Sequence, residues 1–134
     1  MPQPVTSTDR EPQRHGFAFG RLLIGLAVLA VFLVALVPFV RRVLATANDT
    51  NAQTDLISIG KAQLALHDST GAYAASLAQL TTLPPQLAAG ESNGHRFRVV
   101  SSSTDAFLVQ AAPTRPGITG YATCTINQLL TIHC

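Results

Sequence analysis

Nineteen consecutive residues, Leu22–Val40, carry no charged or polar side chain, and arginines bracket them: Arg21 before, Arg41 and Arg42 after. A helix rises about 1.5 Å per residue, so this run spans roughly 28 Å, close to the ~30 Å hydrocarbon core of a bilayer. It divides the 134-residue chain into a short tail and a domain formed by residues 43–134. A domain of that size supports one small core, and a marginal one. The protein's role therefore turns on whether the segment is an anchor, a removed signal, or a helix that leaves the membrane.

A secretory signal has a shorter apolar stretch and a small-residue cleavage site. Here the run is longer and Arg41-Arg42-Val43 follows it, which reads as an uncleaved anchor. Ala45-Thr46-Ala47 is a weak cleavage candidate. Arg10, Arg14 and Arg21 on one side nearly balance Arg41, Arg42 and Lys61 on the other, so the positive-inside bias sets no orientation.

Formal net charge is +2, and no Lys/Arg cluster exceeds two adjacent residues, so nucleic-acid binding has no electrostatic footprint. Both cysteines, Cys124 and Cys134, fall in the last eleven residues. In an oxidising compartment they close a terminal disulfide; in a reducing one they are two free thiols. The disulfide reading favours a C-terminal domain outside the cytoplasm. His133 beside Cys134 lacks the regular ligand spacing of a metal site.

Residues 1–15 contain Pro2, Pro4 and Pro12 with mixed charges and no periodicity, which reads as a disordered leader. From Phe17 the chain is predicted helical, with Pro38 kinking the helix rather than ending it. Val43–Asp68 continues with good helix formers, and Ala52, Leu56, Ile59 and Leu66 share one face. The membrane half thus runs into an amphipathic half, one element of about fifty residues by that periodicity, ended at Gly71.

Ser76–Leu83 is predicted as a helical turn with Leu77, Leu80 and Leu83 inward, and 86–89 as another before Gly90. Residues 95–101 and 106–112 read as a β-hairpin turning at Asp105. Tyr121–Ile126 and Leu129–His133 form a second around Asn127-Gln128. The fold class is α+β: a long helix packed on a small antiparallel sheet, because neither element buries its apolar face alone.

The remaining titratable residues receive structural readings. His67 flanks the helix end, where its cationic form suits the dipole. His95 and His133 read as exposed strand residues, and Asp49, Asp55 and Asp68 as a solvated helix face. Tyr73 reads as packing the helix–sheet junction. No Ser/His/Asp, Cys/His or paired-carboxylate arrangement has supporting context, so neither an enzyme nor a cofactor is expected.

The segment Gly16-Phe17-Ala18-Phe19-Gly20-Arg21-Leu22-Leu23-Ile24 resembles the start of the type IV pilins and the pseudopilins of type II secretion. Their signature is a glycine, then Phe-Thr-Leu-Ile-Glu-Leu, then a long apolar run. Pro38 has the spacing of a helix-kinking proline common in that family. Gly71–Leu80 and the ending from Ala112-Pro113 through Gly120 also look like family segments, so the resemblance covers roughly residues 14–134.

The resemblance implies a leader at 1–16, an assembly helix at 17–42 and an outer α+β domain at 43–134. It implies cleavage between Gly16 and Phe17 by a prepilin peptidase and N-methylation of Phe17. The implied partners are other pilin or pseudopilin subunits, the inner-membrane assembly platform and membrane lipid. The implied location is the bacterial inner membrane, N-terminus cytoplasmic and C-terminal domain periplasmic or extracellular, in a pilus or pseudopilus. Arg21 departs from the pattern. It stands where the family carries a glutamate that pairs with a neighbouring subunit's N-terminal amine. An arginine repels that amine, since a charge buried in lipid or a helix bundle needs an opposite partner. A minor subunit fits better than a major one, and Arg21 is long enough to snorkel to headgroups.

A single-pass anchored protein with a partner-binding outer domain, and a secreted protein released near Ala47, are the competing readings. The mature N-terminus separates the three. Because residues 106–134 contain no Asp or Glu, no calcium site is expected in the late loop.

Overall fold

The computed structural model describes residues 1–4 and 15–134, with backbone alone for His15–Phe17. Helix α1 runs His15–Thr70, 56 residues, and Pro38 lies inside it rather than ending it. Gly71 stops it as predicted: its φ is +76°, and its N–H donates to the His67 carbonyl at 2.7 Å. That left-handed cap is cheap for glycine alone. The chain divides into two compact units, Met1–Val37 and Pro38–Cys134.

In the second unit α1 presents a stripe at spacings of three and four: Ala45, Asp49, Ala52, Leu56, Ile59, Gln63 and Leu66. Ala52, Leu56 and Ile59 are buried in one cluster with Phe97, Phe107, Val109 and Ile126 of the sheet. Leu77 and Leu80 of a 3₁₀ turn (Leu77–Gln79) and Leu87 of a short helix α2 (Pro85–Ala88) close that core. Leu83, expected inward, is half-buried against it.

The sheet is an antiparallel meander in chain order: β1 (Glu91–Ser92), β2 (His95–Ser102), β3 (Phe107–Pro113), β4 (Cys124–Asn127) and β5 (Ile132–His133). Alternation sets its faces. Phe97 opposes Ala111 and Val99 opposes Val109, all four toward the helix, while Arg96 and Arg98 face out. The α+β architecture and the first hairpin are those expected from the sequence.

Two differences have physical causes. The second hairpin is shorter than predicted, because the Tyr121 and Ala122 amides bond the Asp49 carboxylate instead of a strand. At its turn Asn127 Oδ1 accepts from the amides of Leu129 and Thr131 and widens the connection. Strand β1 was not foreseen, although Asn93-Gly94 is a strong hairpin signal; both residues take positive φ, 48° and 70°.

Among the described residues of the helix, Gln63 is the long polar side chain that is fully buried. Its Nε2 donates to the Ala74 carbonyl at 3.0 Å, and its Oε1 accepts from the Ala74 N–H at 2.7 Å. This two-point bond holds the loop after α1 against the helix as a strand neighbour would. Replacing Gln63 by leucine keeps the volume and orphans both backbone groups. Each orphan costs about 1–3 kcal/mol, so Gln63→Leu should lower the unfolding midpoint markedly; an unchanged midpoint in thermal denaturation by circular dichroism would show that water satisfies Ala74.

Candidate functional site

In the first unit, the large apolar side chains from Phe19 to Val37 are solvent-exposed in the chain by itself. The most apolar window of Ala18–Thr70 has none of its residues buried, and it is long and apolar enough to cross a membrane. Arg21 is exposed and, among the described residues, forms no ion pair. The expected cut between Gly16 and Phe17 falls where the backbone alone is described. Positions 5–14 of the expected leader lie outside the described residues.

In the second unit, Phe39, Val40, Val43 and Leu44 are exposed as well, and burial begins at Ala45. One turn on, helix and sheet are clamped by polar contacts. Asp49 accepts from the Tyr121 amide at 2.9 Å, from the Ala122 amide at 3.4 Å and faces His95 Nε2 at 3.0 Å. Asn48 Nδ2 donates to the Thr119 carbonyl at 2.9 Å. The other ring nitrogen of His95 meets the Asn93 carbonyl at 3.2 Å. Both nitrogens are therefore engaged, and the ring serves to join α1, the β1–β2 turn and the loop before β4.

Gly120 makes this approach possible. A Cβ there would overlap Asp49 Oδ1 and stand 2.7 Å from His95 Nε2. A glycine is required because the carboxylate and the ring occupy the space of a side chain.

These contacts correct two expectations. His95 is not an exposed strand residue: it is 1% exposed, and its ring pairs with a carboxylate. Asp49 does not belong to a solvated helix face: its side chain is 15% exposed. Desolvation selects this, since a buried polar group is tolerated where partners are supplied. Asp55 is half-buried and accepts from Asn93 Nδ2 at 3.0 Å, so it also leaves that face, whereas Asp68 is exposed as expected. A signal for His95 was present: counting back by two from Phe97 puts it inward.

At the far end of the helix, His67 Nε2 lies 2.8 Å from the Thr104 carbonyl, and its ring stacks on Tyr73 at 4.3 Å between centroids. Tyr73 meets Phe107 edge-on, so it packs the helix–sheet junction as read from the sequence. His133 is exposed. Cys124 and Cys134 form a disulfide that ties the chain end to β4, and Gln53 Nε2 lies 3.7 Å from Cys134 Sγ.

Compared with known proteins, the chain matches no family model and no curated protein.

The arrangement joins elements; its polar groups spend their hydrogen bonds on one another. Asp49→Ala strands two backbone amides and the His95 ring, and charge-assisted hydrogen bonds are worth about 1.5–3 kcal/mol each. The Tyr121 and Ala122 amides should then lose protection in hydrogen exchange well before the core strands do. Gly120→Ala should produce the same pattern through overlap. Full retention of protection in both variants would sink the clamp.

Proposed function

We propose that this chain is a type IV pilin-like or pseudopilin subunit, a structural element of an envelope filament in the pilus or type II secretion class. The observation that carries the reading is one helix with two opposite environments. Its N-terminal part leaves the large apolar side chains from Phe19 to Val40 uncovered, and its C-terminal part docks on an antiparallel sheet. The resemblance from Gly16-Phe17 through Pro38 to the closing loop supports the same reading.

In this reading a prepilin peptidase cuts between Gly16 and Phe17 on the cytoplasmic side. Glycine suits the position because the scissile backbone must approach the protease without an obstructing side chain. The subunit then sits in the membrane with its sheet domain outside, where an oxidising compartment keeps Cys124–Cys134 closed. Assembly passes the apolar helix from lipid to the helices of other subunits. Water exposure of the whole run would be prohibitive at roughly 25 cal/mol per Å², so the helix has to exchange one apolar surrounding for another.

Arg21 favours a minor subunit, since it cannot neutralise a neighbour's amine. The same arginine favours the second reading, a single-pass anchored protein whose outer domain binds a partner, with Arg21 held at the headgroups.

The N-terminus of the mature protein decides. Intact mass of membrane-extracted protein should give a chain beginning at Phe17, methylated on its amine. Gly16→Leu should accumulate uncut precursor on an immunoblot. A mature chain that begins at Met1 supports the anchored reading, and one that begins beyond Thr46 supports release.

A further inference from the structure

His95 is buried with both ring nitrogens on acceptors. The residue is 1% exposed; Nε2 lies 3.0 Å from Asp49 Oδ1, and Nδ1 lies 3.2 Å from the Asn93 carbonyl. Neither oxygen brings a hydrogen of its own. A carbonyl has none, and the Asp49 carboxylate already accepts from the Tyr121 and Ala122 amides. A neutral imidazole carries one N–H and one lone pair, so it satisfies one of these oxygens and turns a lone pair toward the other. The imidazolium donates at both nitrogens.

The charges around the ring allow that form. Among the described residues, Asp49 is the titratable group that faces the ring from α1. The partner of His95 in β1 is Ser92 and in β3 Pro113, neither of which titrates. From the loop before β4 the ring meets Gly120. Asp55 reaches the same turn one step away, through Asn93 Nδ2. Glu91 and Arg96 pair with each other on the exposed side, and Arg115 is exposed. A buried cation is tolerated where a hydrogen-bonded carboxylate offsets its charge, and Asp49 supplies that carboxylate.

The two contacts hold different segments. Through Nε2 the ring meets Asp49, and with it the amides of the loop before β4. Through Nδ1 it holds the Asn93 carbonyl, and so the β1–β2 turn. The next residue of that turn, Gly94, accepts from the Thr114 amide at 2.9 Å. When the ring is neutral its one proton belongs on Nε2, because a hydrogen bond to an ionised acceptor is about twice as strong as one to a neutral acceptor. Nδ1 then presents a lone pair to the Asn93 carbonyl.

We infer that His95 is a pH-sensitive latch: doubly protonated, it ties the β1–β2 turn to α1 and to the loop before β4, and on losing the Nδ1 proton it lets the turn go while Asp49 keeps the loop. The unfolded chain offers the cation no such pair of acceptors. The stability lent by the turn contact is therefore complete while the ring carries both protons, and it is lost as rising pH removes one. All of these groups belong to the Pro38–Cys134 unit.

The test is a pH series on the full-length chain in detergent, its histidine nitrogens isotope-labelled, from about pH 5 upward until the ring gives up a proton. Ring-nitrogen NMR shifts count the protons on His95. Hydrogen exchange of the Thr114 amide, referred to its intrinsic rate at each pH, reports the turn. Both nitrogens should be protonated at the acid end, and Nδ1 alone should lose its proton. Thr114 protection should fall with the same midpoint by about tenfold or more, the worth of one hydrogen bond to a charged group, while Tyr121 and Ala122 keep theirs. His95→Gln should make Thr114 protection flat across the series, and His133→Gln, at an exposed strand position, should change nothing. Asp55→Asn keeps an acceptor for Asn93 and should leave the pH dependence in place. A His95 ring with one proton at every pH, or one that titrates without moving Thr114, overturns the latch. Loss of the dependence in Asp55→Asn would assign it to Asp55 and overturn the latch as well.

Discussion

The stripe that α1 lays against the sheet, from Ala45 to Leu66, is the contact on which the folded unit depends. A helix apolar on one side and a five-stranded meander with one inward face are each unstable alone in water. Packed together they bury Leu56, Ile59, Phe107, Val109 and Ile126 almost completely. Small residues set how closely they meet. Gly60 lies under Leu130 and Ile126, and a Cβ there would stand 2.6 Å from Leu130 Cδ2. Glycine inside a helix costs about 1 kcal/mol relative to alanine, a loss offset here by the apolar side chains that reach the helix backbone. Leu130 itself takes a left-handed conformation, φ 56°, in the β4–β5 turn, where its N–H donates to the Asn127 carbonyl.

Apolar contact is non-directional, and register along the helix comes from three polar residues on the same element. Asp49 holds the β1–β2 turn and the loop before β4, Gln63 holds the loop at Ala74, and His67 meets the β2–β3 turn at Thr104. Each fixes a different segment at a different level. Sliding the sheet by one helical turn would leave buried donors and acceptors unmet, a penalty comparable to that of an emptied core position. The core supplies stability, and these contacts select one arrangement from those the core would tolerate.

The proposed assembly role asks the two parts of one helix for opposite properties. Residues 22–40 must be satisfied by whatever apolar surrounding is offered, lipid or other helices, and so carry no polar group that would demand a particular partner. Residues 45–66 must hold one domain in one register and so carry Asp49, Gln63 and His67. Arg21 stands just before the first part, and in the proposed role its charge would commit that level of the helix to headgroups or to an anionic partner.

Much of the architecture was legible in the chain. Period 3.6 marked the packed face of α1, period two marked β2 and β3, and Gly71 marked the stop, because each signal is local and needs no knowledge of a distant partner. The β1–β2 turn is equally local, at Asn93-Gly94. The clamp was of another kind. Asp49 and His95 are 46 residues apart and Asp49 and Tyr121 72 apart; a lone aspartate on a helix and a lone histidine in a strand read as solvated until a partner is known. The sequence by itself determined an apolar helix long enough to span a bilayer, its amphipathic continuation and an antiparallel sheet, since hydrophobic periodicity depends on neighbouring residues alone. Only the tertiary structure decided which polar groups are buried and which glycine must stay bare. Burial of a charge is affordable where chain segments far apart in sequence arrive with complementary partners, and that condition is a property of the packed molecule.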